Sequence, residues 1–152
     1  MATPTDVDKS APVLAHHEVE IRAPLDTVWQ LHIDVNNWPS WQEAITEAHI
    51  DGPFEPGNSF DWSSYGFDVT SQIYEVSDRS RTLWGGTGGT AEGITGVHEW
   101  LFAETDGSVR VTTSESFAGD PVSVDVAGMQ GQLDASLVAW LDYLKSAAEA
   151  SG

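Results

Sequence analysis

The stretch HEWLFAETDGSVRVTTSESF, residues 98–117, decides the fold. At its centre, Asp106-Gly107 is a dipeptide that accepts positive φ at both positions of a two-residue hairpin turn. Apolar and polar residues alternate on either side, the period-two pattern of strands with one buried face. A turn at this point sets Thr105 opposite Ser108, and the register follows. Phe102 faces Val111, Trp100 faces Thr113, and His98 faces Glu115. These six side chains share one side of the sheet with Phe117, and their apolar majority marks it as the inner side. The other side carries Glu99, Arg110, Thr112, Ser114 and Ser116 and reads as wet. An imidazole and a carboxyl are therefore expected side by side in an apolar interior.

Downstream, Asp120-Pro121 opens a helix. Val122, Val126, Met129, Leu133, Leu137, Trp140 and Leu144 recur at steps of three and four, one apolar stripe along a helix over roughly 122–148. Gly128 and Gly131 weaken its early turns by about 1 kcal/mol each relative to Ala and leave room beside it. Upstream, alternation predicts strands over 13–23, 44–50, 58–64, 67–76, 81–87 and 91–103, punctuated by turn residues such as Asp51-Gly52-Pro53, Tyr65-Gly66 and Gly88-Gly89. Between the first two strands, Leu25, Val28, Trp29 and His32 repeat at helical spacing after Pro24, and Asn37-Trp38-Pro39-Ser40-Trp41 reads as a compact helical turn. Residues 1–12 lack periodicity and read as a disordered tail; 13–150 form one domain. The sum is an α+β fold: a seven-stranded antiparallel sheet wrapped around a long C-terminal helix, with two short helices between the first and second strands. One helix cannot fill the concave side of so many strands, so a cavity is expected between them.

Composition narrows the partners. Twenty-four acids against six bases give a net charge of −18. Binding to nucleic acid or anionic lipid needs clustered Lys and Arg, and Lys9, Lys145 and four Arg form no cluster, so neither is expected as a partner. Cysteine is absent, which excludes thiolate chemistry and disulfides. The five His have no metal-ligand spacing, so no metal and no cofactor are expected. Gly86-Thr-Gly88-Gly-Thr-Ala91 fits a loose nucleotide-loop pattern, but alternation rather than a helix follows it. No signal-like or membrane-spanning run is seen. The reading is cytoplasmic, monomer or homodimer, with a small hydrophobic molecule as partner.

Particular residues carry a resemblance. Glu18-Val-Glu-Ile-Arg-Ala-Pro24 followed by Val28-Trp29, then Asn37-Trp38-Pro39, Gly57-Asn-Ser-Phe60-Asp-Trp62, His98-Glu-Trp100-Leu-Phe102, and Gly107-Ser-Val-Arg-Val111 leading to Glu115-Ser-Phe117, together resemble the START/Bet v 1-like (SRPBCC) superfamily. Within it they are similar to polyketide cyclase/dehydrase-type proteins, over residues 13–148. The resemblance implies a helix-grip fold and a ligand cavity. In the family's aromatase/cyclases the cavity folds a poly-β-ketone for aldol closure and dehydration. Of the family's pocket positions, Ser71 and the Trp residues at 38 and 100 match. Its Arg falls at Ile73, its Tyr at Ile45 and its Asn at Trp140, which implies a more apolar pocket here.

His98 and Glu115 are the candidate catalytic residues, a coupled pair able to move a proton to or from an enol, a hydroxyl or a carbonyl. The alternative is that the two merely satisfy each other's hydrogen bonding. Candidate substrate contacts are the rings of Trp38, Phe60, Trp62, Phe67, Trp100 and Trp140, the hydroxyls of Ser71, Thr87 and Thr113, and Met129 and Leu133 on the helix. Thr87 is placed by pairing the fifth and sixth strands across Gly88-Gly89. Ordinary core or strand filler is the competing reading for all of them. The facing of His17 and His49 stays open. Two functions fit: a cyclase, with or without dehydration or by pericyclic closure, acting on a polyketide-like or other natural-product intermediate, and a non-catalytic protein that carries a hydrophobic ligand.

Overall fold

A computed structural model describes residues 3–86 and 93–151. Seven strands, β1 (Val13–Ile21), β2 (Ile45–Ile50), β3 (Ser59–Ser64), β4 (Phe67–Ser77), β5 (Arg81–Gly86), β6 (Thr95–Thr105) and β7 (Ser108–Ala118), form one antiparallel sheet in the order β1-β7-β6-β5-β4-β3-β2. Helix α1 (Leu25–Ile33) and a 3-10 helix (Val35–Ser40) connect β1 to β2, and α2 (Asp120–Val124) and α3 (Val126–Ser151) close the chain. The β6–β7 register is the one the turn dictates, with Thr105 opposite Ser108 and His98 opposite Glu115. Asp106 and Gly107 both have positive φ, 45° and 82°.

The first turns of the last helix depart from expectation. Asp125 breaks it: its backbone leaves the helical region (φ −146°, ψ 71°), and its carboxylate accepts the Gly128 N–H at 3.0 Å as a cap for α3. Val126 is consequently half-exposed rather than part of the buried stripe, which runs through Leu133, Leu137, Trp140, Leu141, Leu144 and Ala148. Gly128 serves the cap, since a Cβ there would lie 2.2 Å from the Asp125 carboxylate. Neither Gly128 nor Gly131 borders the cavity described below.

The N-terminal segment also differs from the loose tail expected. Val7 is buried with Leu83 and Val97 on the outer side of the sheet, Asp8 N–H donates to Ser116 Oγ at 3.0 Å, and Arg81 donates to the Thr5 carbonyl at 2.9 Å. Ser116 and Ser114, read as wet, are buried in consequence; Ser114 also bonds His16. A single apolar residue at the right register was enough to fix the segment, and no periodic pattern could announce it.

On the inner side, rings fill one end of the grip. Trp38 packs edge-on against Phe60 and Trp140, with centroids 5.4 Å apart in each case. Phe102 packs on Trp29, and His32 on Trp100. Trp38 Nε1–H donates to the His32 carbonyl, tying the 3-10 helix to α1. At this end the molecule is solid. At the other, between the β3–β4 turn, Phe117 and the first half of α3, it is hollow.

Candidate functional site

Because side chains alternate along a strand, His98 and Glu115 both point to the inner side, and Thr113 points there one pair further on. His98 Nε2 lies 2.7 Å from Thr113 Oγ1. Thr113 Oγ1 in turn donates its one proton to the Glu99 carbonyl at 3.0 Å. The hydroxyl can only accept from His98, so Nε2 carries the hydrogen and Nδ1 carries a lone pair. That lone pair faces Glu115 Oε1 across 3.4 Å and has no hydrogen-bond partner among the described residues.

Burial sets the charge of this pair. It pushes the Glu115 carboxyl up to about 8 and His98 well below its ordinary value, with repulsion from His32 adding to the second effect. Near neutrality the pair is therefore a carboxylic acid beside a neutral imidazole. A protonated Glu115 can donate to Nδ1 after a small closing motion; an ionised one would meet lone pair with lone pair.

Glu115 also borders the cavity, whereas His98 sits behind it. The cavity has a volume of about 160 Å³, a size at which an apolar hole takes a benzene-like ring. Its walls are Trp62, Trp84, Phe67, Phe117, Trp140 and Leu133, with Ser71, Gln42, Gln132 and Ser136 as polar points. Ser71 Oγ accepts from Trp62 Nε1 at 3.0 Å, which leaves its own proton to be donated. Gly85, Gly86 and Gly96 supply backbone wall without side-chain bulk. At Gly96 an added Cβ would lie 3.4 Å from the Phe117 ring and 3.8 Å from Glu115 Oε2, which are permissive contacts. Gly96→Leu is expected to fill the hole: melting temperature unchanged or raised, and calorimetric affinity for any cavity ligand lowered at least about tenfold.

Of the residues expected from sequence, Glu115, Trp62, Phe67, Ser71, Met129, Leu133 and Trp140 border the cavity. Trp38, Phe60, Trp100 and Thr113 do not; they are at most 1 % exposed and form the packed floor. Thr87 lies outside the described residues. The register meant to place it does not occur, since Gly86 pairs with Gly96 and Trp84 with His98. A tight turn at Gly88-Gly89 would set other partners. His17 faces α3 and meets Asp134 at 2.8 Å, while His49 is on the surface beside Asp51. Sequence reading missed Trp84, which lines the cavity and stacks 4.7 Å from His98. The correct β5–β6 register would have found it.

Among the described residues, no three or more His, Asp or Glu gather as a metal site, and no helix is long and apolar enough to cross a membrane. The class is thus defined by a curved sheet gripping one helix around a ring-lined cavity. The sequence profile of the family described as polyketide cyclase/dehydrase and lipid transport matches residues 12–149, and the chain belongs to that family. Comparison with curated protein sequences returns no significant match.

Solved structures share the fold. Hypothetical protein jhp0584 from Helicobacter pylori aligns with TM-score 0.80 at 21% identity, over 97% of this chain and 99% of that one. The Zhui aromatase/cyclase from Streptomyces sp. R1128 aligns with TM-score 0.74 at 19% identity, over 90% and 93%. The di-domain aromatase/cyclase StfQ of the steffimycin biosynthetic pathway aligns with TM-score 0.70 at 18% identity, over 89% of this chain and 44% of that one.

Proposed function

We propose that this protein is a cofactor-independent cyclase that holds a small hydrophobic biosynthetic intermediate in the cavity, with Glu115 as its acid and base and His98 as the positioning partner of Glu115. The observation that carries the reading is the placement of one carboxyl, neutral near pH 7, on the wall of a ring-lined hole that no other charged side chain borders among the described residues. A carboxylic acid can protonate a carbonyl or a leaving hydroxyl and then, as carboxylate, remove a proton from carbon. Ser71 donates a second hydrogen bond to the substrate's polar group. The ring walls hold the chain folded, which supplies proximity. The aromatase/cyclases among the structural neighbours support ring closure as the reaction proposed.

The carrier reading is supported by one feature. The aromatase Arg position is Ile73, a fully buried core residue, so one polar contact of the aromatases has no counterpart. A panel of linear and cyclised aromatic polyketides tests both readings. Quenching of the fluorescence of Trp62, Trp84 and Trp140 reports binding, and chromatography reports conversion. Conversion of at least one linear compound supports the cyclase. Binding with no conversion across the panel assigns the cavity to carriage, and no binding removes both.

A further inference from the structure

The six bases of this chain are distributed unevenly with respect to the cavity. Its mouth lies at the end of the sheet marked by the Tyr65-Gly66 turn, Gly86, Thr95 and the start of α3. Antiparallel pairing places the Ser77–Arg81 connection, the Asp106-Gly107 turn and the end of β1 at the opposite end. There lie Arg22, Arg79, Arg81 and Arg110, and Lys145 near the C-terminus of α3. Arg79 pairs with Asp26 and Asp78, Arg81 with Glu75 and Glu99, and Lys145 with Glu149. Lys9, on the N-terminal segment, pairs with Asp6. No Lys, Arg or His lines the cavity among the described residues, and residues 87–92 contain none in sequence.

Around the mouth the charges are acidic. Glu43 follows the cavity residue Gln42 and is hydrogen-bonded to Tyr143, which also lies near Tyr65. Asp120 opens α2, whose Pro121 would lie 3.3 Å from a Cβ placed on Gly93, next to the cavity residue Ile94. Asp125 caps α3, so the positive end of that helix is already covered by a carboxylate. A protein of net charge −18 with this arrangement presents negative potential at the opening and draws cations toward it. Inside, the walls are aromatic, and ring faces attract cations most strongly where water is excluded.

We propose that the ligand of this cavity carries a basic nitrogen, held as a cation between the aromatic walls and the Glu115 carboxylate, and that anionic ligands are excluded. The inference rests on the cavity being the ligand site, as proposed above, and names the class of ligand. An anion entering here would lose its hydration and find no counter-charge, whereas a cation finds one. The proton balance is explicit. A nitrogen base arriving neutral takes the Glu115 proton, so that O–H breaks, N–H forms, and an ammonium–carboxylate pair remains. A permanent cation displaces the same proton to solvent. With a cation bound, Glu115 is the carboxylate, the base form of the group proposed above.

The groups facing Glu115 are few. From β6 it is His98, without a proton on Nδ1; from β1 it is the uncharged Ala15; from α3 the cavity-lining residues Gln132, Ser136 and Trp140 carry no charge. His17 on β1 is engaged with Asp134, and His32 lies beyond Trp100. Glu115 therefore governs the pH dependence of ligand binding.

Titration calorimetry of the full chain with benzyltrimethylammonium, benzyl alcohol and phenylacetate tests this. The three share one ring and differ in charge. The cation is expected to bind at least about tenfold more tightly than the alcohol at about pH 8.5, and phenylacetate not to bind. Below about pH 8 the cation's affinity is expected to fall by about tenfold per pH unit, because the carboxyl must lose its proton first. Glu115→Gln is expected to abolish both the preference for the cation and its pH dependence. Equal binding of cation and alcohol, or binding of phenylacetate, overturns the cation while leaving the cavity as a ligand site. Failure of all three overturns the cavity reading and this inference with it.

Discussion

Glu115→Gln is expected to lower turnover by about 10²–10⁴-fold, the usual consequence of removing a general acid or base, while the folded state survives. Survival follows from the geometry of the pair. His98 Nδ1 presents a lone pair, and the Gln amide N–H can donate to it after the same small closing motion that a protonated carboxyl needs. The substitution removes the transferable proton without orphaning a buried nitrogen. If the pair is only mutual satisfaction, the ordering reverses. Glu115→Gln then leaves turnover intact, and Glu115→Ala destabilises by about 1–3 kcal/mol because the imidazole loses its neighbour. Single-turnover rates and melting curves for the two variants separate the cases. Unchanged rates in both would remove the pair from the mechanism and leave cavity shape as the only catalyst.

That pair could be found in the sequence because one turn fixes it. Asp106-Gly107 admits a single common geometry, strand alternation is strict, and nothing between residues 98 and 115 bulges, so a register deduced from two residues held over eleven pairs. The sheet, the long helix and the two short helices were legible for the same reason: each follows from a local period and its interruptions. The cavity wall was legible only in half. Trp62, Phe67, Ser71, Met129, Leu133 and Trp140 follow from alternation or the helical stripe. Whether an inward ring borders a hole or belongs to the solid floor depends on how deep it lies along the sheet. Alternation carries no information on depth, so Trp38, Phe60 and Trp100 were placed on the right face at the wrong level. Trp84 was lost because the register deduced from Gly88-Gly89 is not the one β5 and β6 adopt, in which Gly86 pairs with Gly96 and Trp84 with His98. The N-terminal segment was lost because it is held by Val7 and a few hydrogen bonds.

The second large effect is expected on stability, and it runs against the net charge. A chain at −18 with a sequence pI of about 4.2 should be relieved of self-repulsion as acid is added, and on that ground alone should gain stability from pH 7 downward. The buried histidines act in the opposite direction. His32 is fully enclosed, its Nε2 2.8 Å from Thr82 Oγ1, and burial pushes it from an ordinary 6.5 to about 3. Its contribution is complete above pH 6.5 and is lost as pH falls toward 3, because the unfolded chain takes up a proton that the folded chain refuses. At about 1.4 kcal/mol per unit, that is about 5 kcal/mol over the window for His32 alone, and His98 is shifted in the same direction. A domain stable by about 5–15 kcal/mol loses much of its margin this way. Glu115 has the opposite sign: raised from 4.5 to about 8, it contributes fully below 4.5 and loses that contribution as pH rises to 8. Stability should therefore peak near pH 6 to 7 and fall on both sides. Urea midpoints across pH 4 to 8 measure the curve. The double variant His32→Phe with Thr82→Val replaces both partners of one buried bond by apolar groups, so no donor is orphaned. It should flatten the acid limb, and Glu115→Gln should flatten the alkaline one. A wild-type midpoint that rises steadily from pH 7 to pH 4 would show that surface repulsion, not the buried imidazoles, controls this fold in acid.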